Sequence, residues 1–360
     1  MLNGAHGPPQ LEVIHVTESF ASGVAAAIHD YVRNFPTAHH HLVYSTRSEA
    51  AVSPAELVGF QTTTELPGGH LSRIRFLRKF AGTVAGSVVV HAHSSKAGAY
   101  VRLAQFKSAV PIVYTPHCYA FERLDVPWYL RQAFRVVEWL LSFNTSCYAT
   151  CSEREAELSR WSLSRPTTVV VPNVPPAERP KPRTAQPPNG TRLRIAGNGR
   201  LGPQKDPVYF AEAIASAARV NPDIEAVWIG GGDDRLADYL RERGVHVTGW
   251  LPRSAAMDVL CSCDVYLHSA LWEGFPISIL EASEAGLPVV ARKRPYLRGF
   301  DMPIVMEHPQ ELTDVLSGLD NSLARKAANR RTREALVGNS DALQRAALNE
   351  LYGQYAGARR

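Results

Sequence analysis

The chain has 360 residues, 45% hydrophobic and 20% charged, with a net charge of +5. That composition is ordinary for a soluble globular protein and long enough for two domains. The positive balance points to an anionic partner, but no recognised nucleic-acid-binding motif or stacking platform of interleaved arginines and aromatics appears, so nucleic acid is not expected to be that partner.

The first stretch, "MLNGAHGPPQLEVIHV", lacks a basic region followed by an apolar run and does not read as a signal peptide. No apolar run approaches the roughly 20 residues of a membrane-spanning helix. Five cysteines (118, 147, 151, 261 and 263) are odd in number and are not spaced as zinc ligands; reduced thiols in the cytoplasm are expected. "LEVIHVT" (Leu11–Thr17) predicts a strand. "ESFASG" then offers amides around Gly23 ahead of a helix from about Val24 to Asn34. Further strands are expected at "HLVYST", "VVVHAHS", "PIVYTPH", "TSCYATCS" and "TTVVVPN", with helices between them. His39 to His41 alternate sides of an extended chain, which suits one metal ion poorly, and are expected at a solvated strand entry. "LSRIRFLRKFAGTV" (Leu71–Val84) is the densest basic stretch. It predicts an amphipathic helix, either packed on a core or laid on an anionic membrane. This alternation of strand and helix predicts a parallel, doubly wound sheet.

From Val174 to Arg192 six prolines and few apolar residues mark a linker. The pattern then repeats. "LRIAGNGRL", "IEAVWIGGG", "VHVTGW" and "DVYLHSA" read as strands, and "PVYFAEAIASAARV", "RLADYLRER" and "AAMDVLCSC" as helices. The tail from about Ser322 to Tyr355 reads as helical. The expected division is residues 1–173, a linker at 174–192, a second domain at 193–335, and a helical tail at 336–360 packing toward the first domain.

"ALWEGFPISILEASEAGLPVV" (Ala270–Val290) places Glu273 and Glu281 in an otherwise apolar run. Pro276 suits the first turn of a helix, Gly286 a left-handed cap, and Pro288 a stop. Glu273 then lies in a loop at the carboxyl end of a strand, where open α/β sheets bind ligands. The amides of Gly274, Phe275 and Ile277 at the helix start suit a phosphate. Carboxylates accept hydrogen bonds from hydroxyls, so phosphate-binding amides with an acid on either side fit a nucleotide sugar. The alternative is an acid favouring the helix dipole and a solvated Glu281. Other polar motifs also end strands. Arg200 and Lys205 in "NGRLGPQKD" are cations suited to a diphosphate. Gly231 in "IGGGDD" allows close backbone approach. "HAHSSKAG" contributes His93, Ser94 and Lys96, and "YTPHCYAF" contributes His117.

With these motifs together, the chain resembles the retaining GT-B glycosyltransferases of family 4, over nearly its whole length. The most specific part is the acid–seven–acid motif of Glu273 and Glu281. "GRLGPQKD" resembles the family's arginine–lysine loop, and "HAHSSKAG" and "YTPH" resemble segments of members that build bacterial cell-surface polysaccharide. The resemblance implies two Rossmann-like α/β domains facing a central cleft, with a C-terminal helix crossing back to the first. It implies that Arg200 and Lys205 hold the donor diphosphate, that Glu273 contacts the donor sugar and Glu281 the ribose, and that His117 meets the sugar near the reacting carbon. The amides of Gly23, Phe275 and Ile277, next to Pro276, would cradle phosphates. His93, Ser94 and Lys96 would lie on the acceptor side. The chain departs from the family at Ser22-Gly23, where two glycines are usual, at Val174 after Pro172-Asn173, and at Cys118.

The implied reaction is sugar transfer from a nucleotide sugar, uridine diphosphate sugars being favoured, to an acceptor hydroxyl with retention. No metal and no cofactor are expected. A nucleotide-sugar epimerase and a non-catalytic sugar-nucleotide-binding protein are the alternatives. A lipid-linked or glycan acceptor would bring the enzyme to the inner face of the cytoplasmic membrane. "LSRIRFLRKF", with Arg123, Arg131, Arg135, Trp128 and Tyr129, is the expected contact with anionic lipid.

Overall fold

The computed structural model describes residues 10–45, 52–106, 108–178 and 192–356. Most of the proline-rich segment therefore lies outside the described residues. The chain divides into two compact units, Met1–Val174 with Ser340–Arg360, and Pro175–Asn339.

Among its described residues the first unit carries seven parallel strands: β1 (Leu11–Thr17), β2 (His39–Tyr44), β3 (Thr62–Glu65), β4 (Ser87–His93), β5 (Ile112–Thr115), β6 (Cys147–Thr150) and β7 (Thr167–Val170). Their order is β3-β2-β1-β4-β5-β6-β7. The chain runs outward from β1 to β3, then returns to β1's other side at β4, so the strand order reverses between β1 and β4. Its helices are α1 (Ser22–Asn34), α2 (His70–Phe80), α3 (Ser95–Ala104), α4 (Trp128–Ser142) and α5 (Glu153–Leu158). One core packs Ile14, Val16, Val90, Ala97, Val101 and Tyr114, with Phe76, Phe80 and Phe134 half-buried against it. That is the layer of α2, α3 and α4. The opposite core joins Val13, Tyr31, Phe35, Val89 and Val113 to Leu348, Leu351 and Tyr352 of the C-terminal helix.

β3 was not expected from sequence. "TTTE" has no buried side chain, yet it pairs with β2 from His41↔Thr62 to Tyr44↔Glu65. It is an edge strand recruited by the ladder rather than by burial. The histidine run is a correction. His40 and His41 are buried, at 3% and 8% exposure, not a solvated entry. His39 and His41 both engage the Glu12 carboxylate, at 2.9 and 2.7 Å, while His40 points to the other face. α1 starts at Ser22, two residues before the expected boundary, with Ser22 held at φ 50°.

The second unit repeats the design with β8 (Leu193–Asn198), β9 (Ile224–Ile229), β10 (Val245–Val247), β11 (Val265–His268), β12 (Val289–Arg292) and β13 (Val305–Met306). They form a parallel sheet in the order β10-β9-β8-β11-β12-β13, reversing between β8 and β11. The helices are α6 (Pro207–Ala218), α7 (Asp234–Arg241), α8 (Arg253–Cys261), α9 (Ile277–Glu284), α10 (Leu312–Ser317) and α11 (Ser322–Ala335). The core is built on Phe210, Trp228, Leu240, Leu267 and Met306. Among the described residues the helical tail comprises two helices. α11 stays with the second unit, where Asn329 donates to the carbonyls of Ser283 and Leu287. α12 (Asp341–Gly353) starts at the Ser340 cap and belongs to the first unit. There Gln344 donates to Pro172 O, and Asn34 donates to Gln344 and Asp341.

Candidate functional site

In the second unit the residues of interest gather at the β8/β11 reversal. The loop after β8 must turn sharply. Gly199 takes φ 120°, and a Cβ there would stand 2.7 Å from Lys205 Cε, so glycine makes room for the lysine stem. Gly230 takes φ 139°, and a Cβ there would stand 2.3 Å from Gly199 O, so the two strand-end loops touch backbone to backbone. Leu201 N donates to Gly231 O at 2.8 Å. On the other side the loop is braced to the end of β11. Leu271 N donates to Gln204 O at 2.8 Å, and Ser269 Oγ to Lys205 O at 2.6 Å. Asp206, at φ 45°, caps α6 through Tyr209 N and holds Arg292 at 2.6 Å. Arg292 also lies 4.0 Å from the Tyr209 ring centroid.

This bracing brings Lys205 Nζ to 2.6 Å from Glu273 Oε1, with both side chains largely buried. Gln204 donates to Glu273 Oε2 at 3.3 Å. The two residues assigned separate roles from sequence therefore form one ion pair. Arg200 is exposed and has no ion pair among the described residues. Pro276 sits just before α9 as its cap rather than inside the first turn, and Gly274, Phe275 and Pro276 are buried. The Phe275 ring packs at a tilt against Phe300, with centroids 4.3 Å apart. Glu281 is not a solvated acid. Burial raises its carboxyl above the usual range, against the pull of Arg253 and Lys205. Arg253 Nη2 lies 2.6 Å from its Oε1.

In the first unit the β1/β4 reversal carries a column of histidines. Successive residues of a strand alternate faces, so His15, His91 and His93 share a face, beside His40 on β2. His40 Nε2 lies 2.8 Å from Phe35 O, His15 Nε2 lies 2.9 Å from His40 Nδ1, and His93 Nε2 lies 3.0 Å from His15 Nδ1. His117 Nε2 lies 3.1 Å from His93 Nδ1. A carbonyl only accepts, and a neutral imidazole has one donor and one acceptor. His40 must therefore donate from Nε2, and each ring along the column must do the same. The column ends with His117 presenting an Nδ1 lone pair. Burial, then the neighbouring histidines, pushes His15 and His93 well below the usual range, and burial alone holds His117 down at about 4. All are neutral near pH 7.

His91 stands beside the column, stacked on His93, with its nitrogens on Tyr352 OH at 2.6 Å and Thr115 Oγ1 at 2.8 Å. The ligand nitrogens of His15, His91 and His93 lie within 4.8 Å of one another. Every one of those ring nitrogens is already hydrogen-bonded, so a metal there would have to break the column.

His117 and Cys118 are both non-glycine residues at positive φ, 50° and 90°. The Glu155 carboxylate fixes this turn, accepting from Cys118 N at 2.8 Å and Cys151 N at 3.0 Å. Of the other first-unit residues chosen from sequence, His93 is fully buried and reaches outward only through His117. Ser94 caps α3 at φ 73°. Lys96 is exposed and pairs with Glu18 at 3.0 Å. Gly23 lies in the first turn of α1.

Sequence reading missed Gln204, Arg253, Arg292 and the buried His268. The Nε2 of His268 has no hydrogen-bond partner among the described residues. Only its place at the end of β11 could have marked it.

The chain was compared with known proteins. Residues 12–174 match the glycosyl transferase 4-like domain, and residues 178–299 match glycosyl transferases group 1. An Escherichia coli protein, UDP-Gal:alpha-D-GlcNAc-diphosphoundecaprenol alpha-1,3-galactosyltransferase, is 30% identical over 56% of this chain and 57% of its own length. An uncharacterised 41.2 kDa protein in the cps region of Klebsiella pneumoniae is 25% identical over 86% of this chain and 85% of its own. Among solved structures, Anabaena HepE in complex with UDP-glucose superposes with a TM-score of 0.75 at 17% identity, covering 95% of this chain and 99% of that one. WaaG, a glycosyltransferase involved in lipopolysaccharide biosynthesis, gives 0.67 at 18%, covering 95% and 100%. The fold is that of these GT-B proteins, two Rossmann-like parallel-sheet domains. With one family profile on each unit, the chain belongs to the group 1 glycosyl transferases, family 4.

Proposed function

We propose that the chain is a retaining glycosyltransferase that moves a sugar from a uridine diphosphate sugar to a hydroxyl of a lipid-linked acceptor in surface-glycan assembly. The observation that carries this reading is the Lys205–Glu273 pair, clamped between two strand-end loops at a sheet reversal. The E. coli relative, which uses a UDP-sugar and a diphosphoundecaprenol acceptor, supports both substrate classes. Before donor arrives, Glu273 neutralises Lys205. The donor diphosphate would take over Lys205 and add Arg200, leaving Glu273 to accept from sugar hydroxyls. Glu281, with Arg253 behind it, would accept from the ribose. Gly23, Gly231, Gly274, Phe275, Pro276 and Ile277 would let backbone approach the nucleotide and its phosphates. His117 would accept from a sugar hydroxyl at Nδ1, with His93 positioning it. Ser94 and Lys96 would serve the acceptor.

The acceptor oxygen attacks the anomeric carbon on the face from which the diphosphate leaves. The carbon–oxygen bond to phosphate breaks as the new one forms, and the acceptor proton passes to the departing phosphate oxygen. Arg200 and Lys205 stabilise that charge without need of a metal. Arg200→Ala and Lys205→Ala should each lower turnover on the order of 10²-fold or more in chelator-treated buffer. Near-normal rates in both, strict dependence on magnesium, or an inverted product would overturn the mechanism. For the base, saturating UDP at ~100 times its dissociation constant should stabilise the protein by ~2.7 kcal/mol; a response to guanosine diphosphate alone would overturn that choice.

A further inference from the structure

The segment after β12 opens with three consecutive cations, Arg292, Lys293 and Arg294, ahead of Pro295 and Tyr296. The fold sews this segment to the loop that holds Glu273. Arg292 Nη1 donates to Ser269 O at 3.3 Å, Tyr296 OH donates to Ala270 O at 2.8 Å, and the Phe300 ring packs against Phe275. It therefore borders the Lys205–Glu273 pair at the carboxyl end of the sheet, where an open α/β sheet takes its ligand.

Two of these cations are matched. Arg292 lies 2.6 Å from Asp206, and Lys293 pairs with Glu307. Arg294 is not. It has no ion pair among the described residues, and its buried Nε has no hydrogen-bond partner there. Its backbone is extended, at φ −144° and ψ 155°, which sets its side chain on the same side as that of Arg292. That side faces the start of α6, where Arg292 stands 4.0 Å from the Tyr209 ring centroid. Tyr209 is 4% exposed, and its hydroxyl also has no hydrogen-bond partner among the described residues. Burial first and the Arg292 charge second pull Arg294 below the usual arginine range, and Asp206 and Tyr209 also act on it.

The acids nearby are already committed. Asp206 holds Arg292 and caps α6 at Tyr209 N. Glu311, whose charge reaches Tyr209, accepts from Glu307 N at 3.3 Å and His308 N at 2.8 Å. Two buried donors and one uncompensated guanidinium thus lie together without an acceptor. A buried donor left unmade costs free energy, and a half-buried charge does too, so the place calls for an anion.

We propose that Arg294 and Tyr209, backed by Arg292, form an oxyanion pocket that takes the carboxylate of the transferred sugar, so that the donor is a uridine diphosphate hexuronic acid. A planar guanidinium fork matches a carboxylate. The single unmatched charge fits one monoanion rather than a second diphosphate, for which Arg200 and Lys205 are placed. The bracing to the Glu273 loop puts the pocket beside the sugar that Glu273 would hold. The inference rests on the nucleotide-sugar reading above and names the class of sugar.

The test is calorimetric titration with UDP-glucuronate and UDP-galacturonate, each beside its neutral counterpart, UDP-glucose or UDP-galactose. The parent should bind one acid about tenfold or more tightly than its counterpart, the worth of one hydrogen bond to a charged group. In Arg294→Gln that preference should fall to within about threefold, with the affinity for UDP alone unchanged. Tyr209→Phe should weaken the same preference. Neither substitution should lower the melting temperature of the unliganded protein, whereas a residue that only held the fold would lower it. Equal binding of acidic and neutral donors by the parent, a preference undiminished in both variants, or loss of UDP itself in Arg294→Gln overturns the inference. So does a parent indifferent to the donor acid whose Arg294→Gln variant loses only acceptors bearing a carboxylate, because the anion would then sit on the acceptor. A parent that transfers glucose or galactose without preferring an acid keeps the glycosyltransferase reading and loses the pocket. A parent that prefers an acid but transfers no sugar keeps the pocket and overturns the glycosyltransferase reading instead.

Discussion

Mild acid should destabilise the first unit before carboxylate chemistry begins. The perturbation is a shift from pH 7.5 to 5.5. In the unfolded chain a histidine titrates near 6.5, so at pH 5.5 each one gains about 1.4 kcal/mol from its proton. In the folded unit His15, His91 and His93 are held well below that range by burial first and by one another second, and gain almost nothing. The native state then binds fewer protons than the unfolded state below pH 6.5, so stability falls as pH falls through that value. The three groups together remove about 4 kcal/mol, and His117, held at about 4, adds roughly one further increment of the same size. Glu155, raised by burial, opposes this in part. For a unit of roughly 200 residues, 4 kcal/mol corresponds to a melting shift of about 8–16 °C. Calorimetry at the two pH values reads the shift, and proton uptake on unfolding at pH 5.5 should reach about three or more. Nitrogen NMR of the histidine rings at pH 7 should show His40, His15, His93 and His117 protonated at Nε2 only. A first-unit transition that moves by less than about 2 °C, or His117 protonated at Nδ1, would refute the neutral column.

Two further outcomes test the packing. Glu138→Leu leaves Arg102 charged and buried, and should destabilise the first unit by about 3–5 kcal/mol, while Arg102→Leu/Glu138→Leu together should recover most of that loss in denaturant titrations. Gly230→Ala sets a Cβ against Gly199 O at a φ disfavoured for alanine; it should destabilise the second unit by about 2 kcal/mol or more, with the first unit's calorimetric transition unchanged.

The two halves and most of their strands were legible because buried parallel strands read as short apolar runs between turn signals. β3 was not, because a run of threonines at a sheet edge carries no burial pattern. Glu273, Glu281, Arg200 and Lys205 were legible because their motifs are local. Their partners were not. Arg253 meets Glu281, and Arg292 meets Asp206, through loops that only the sheet order brings together. The histidine column was invisible for the same reason: His15 bonds a ring 25 residues away and another 78 residues away. For α4 the helical period was readable, but not its inward face. Phe134 packs on the core as an apolar residue of a helix normally does, but Glu138 also turns in, because Arg102, 36 residues away, supplies its buried partner.

The return of α12 to the first unit has a consequence for synthesis. The 165 residues of Pro175–Asn339 are made between the sheet of the first unit and the helix that covers it. At about 5–20 residues per second, a ribosome takes roughly 10–30 s to cross them. Through that interval Val13, Phe35, Val89 and Val113 lack Leu348, Leu351 and Tyr352, and His91 lacks its Tyr352 hydroxyl. The nascent first unit is therefore an incomplete client that a chaperone can hold, and it closes only after its partner unit has been translated.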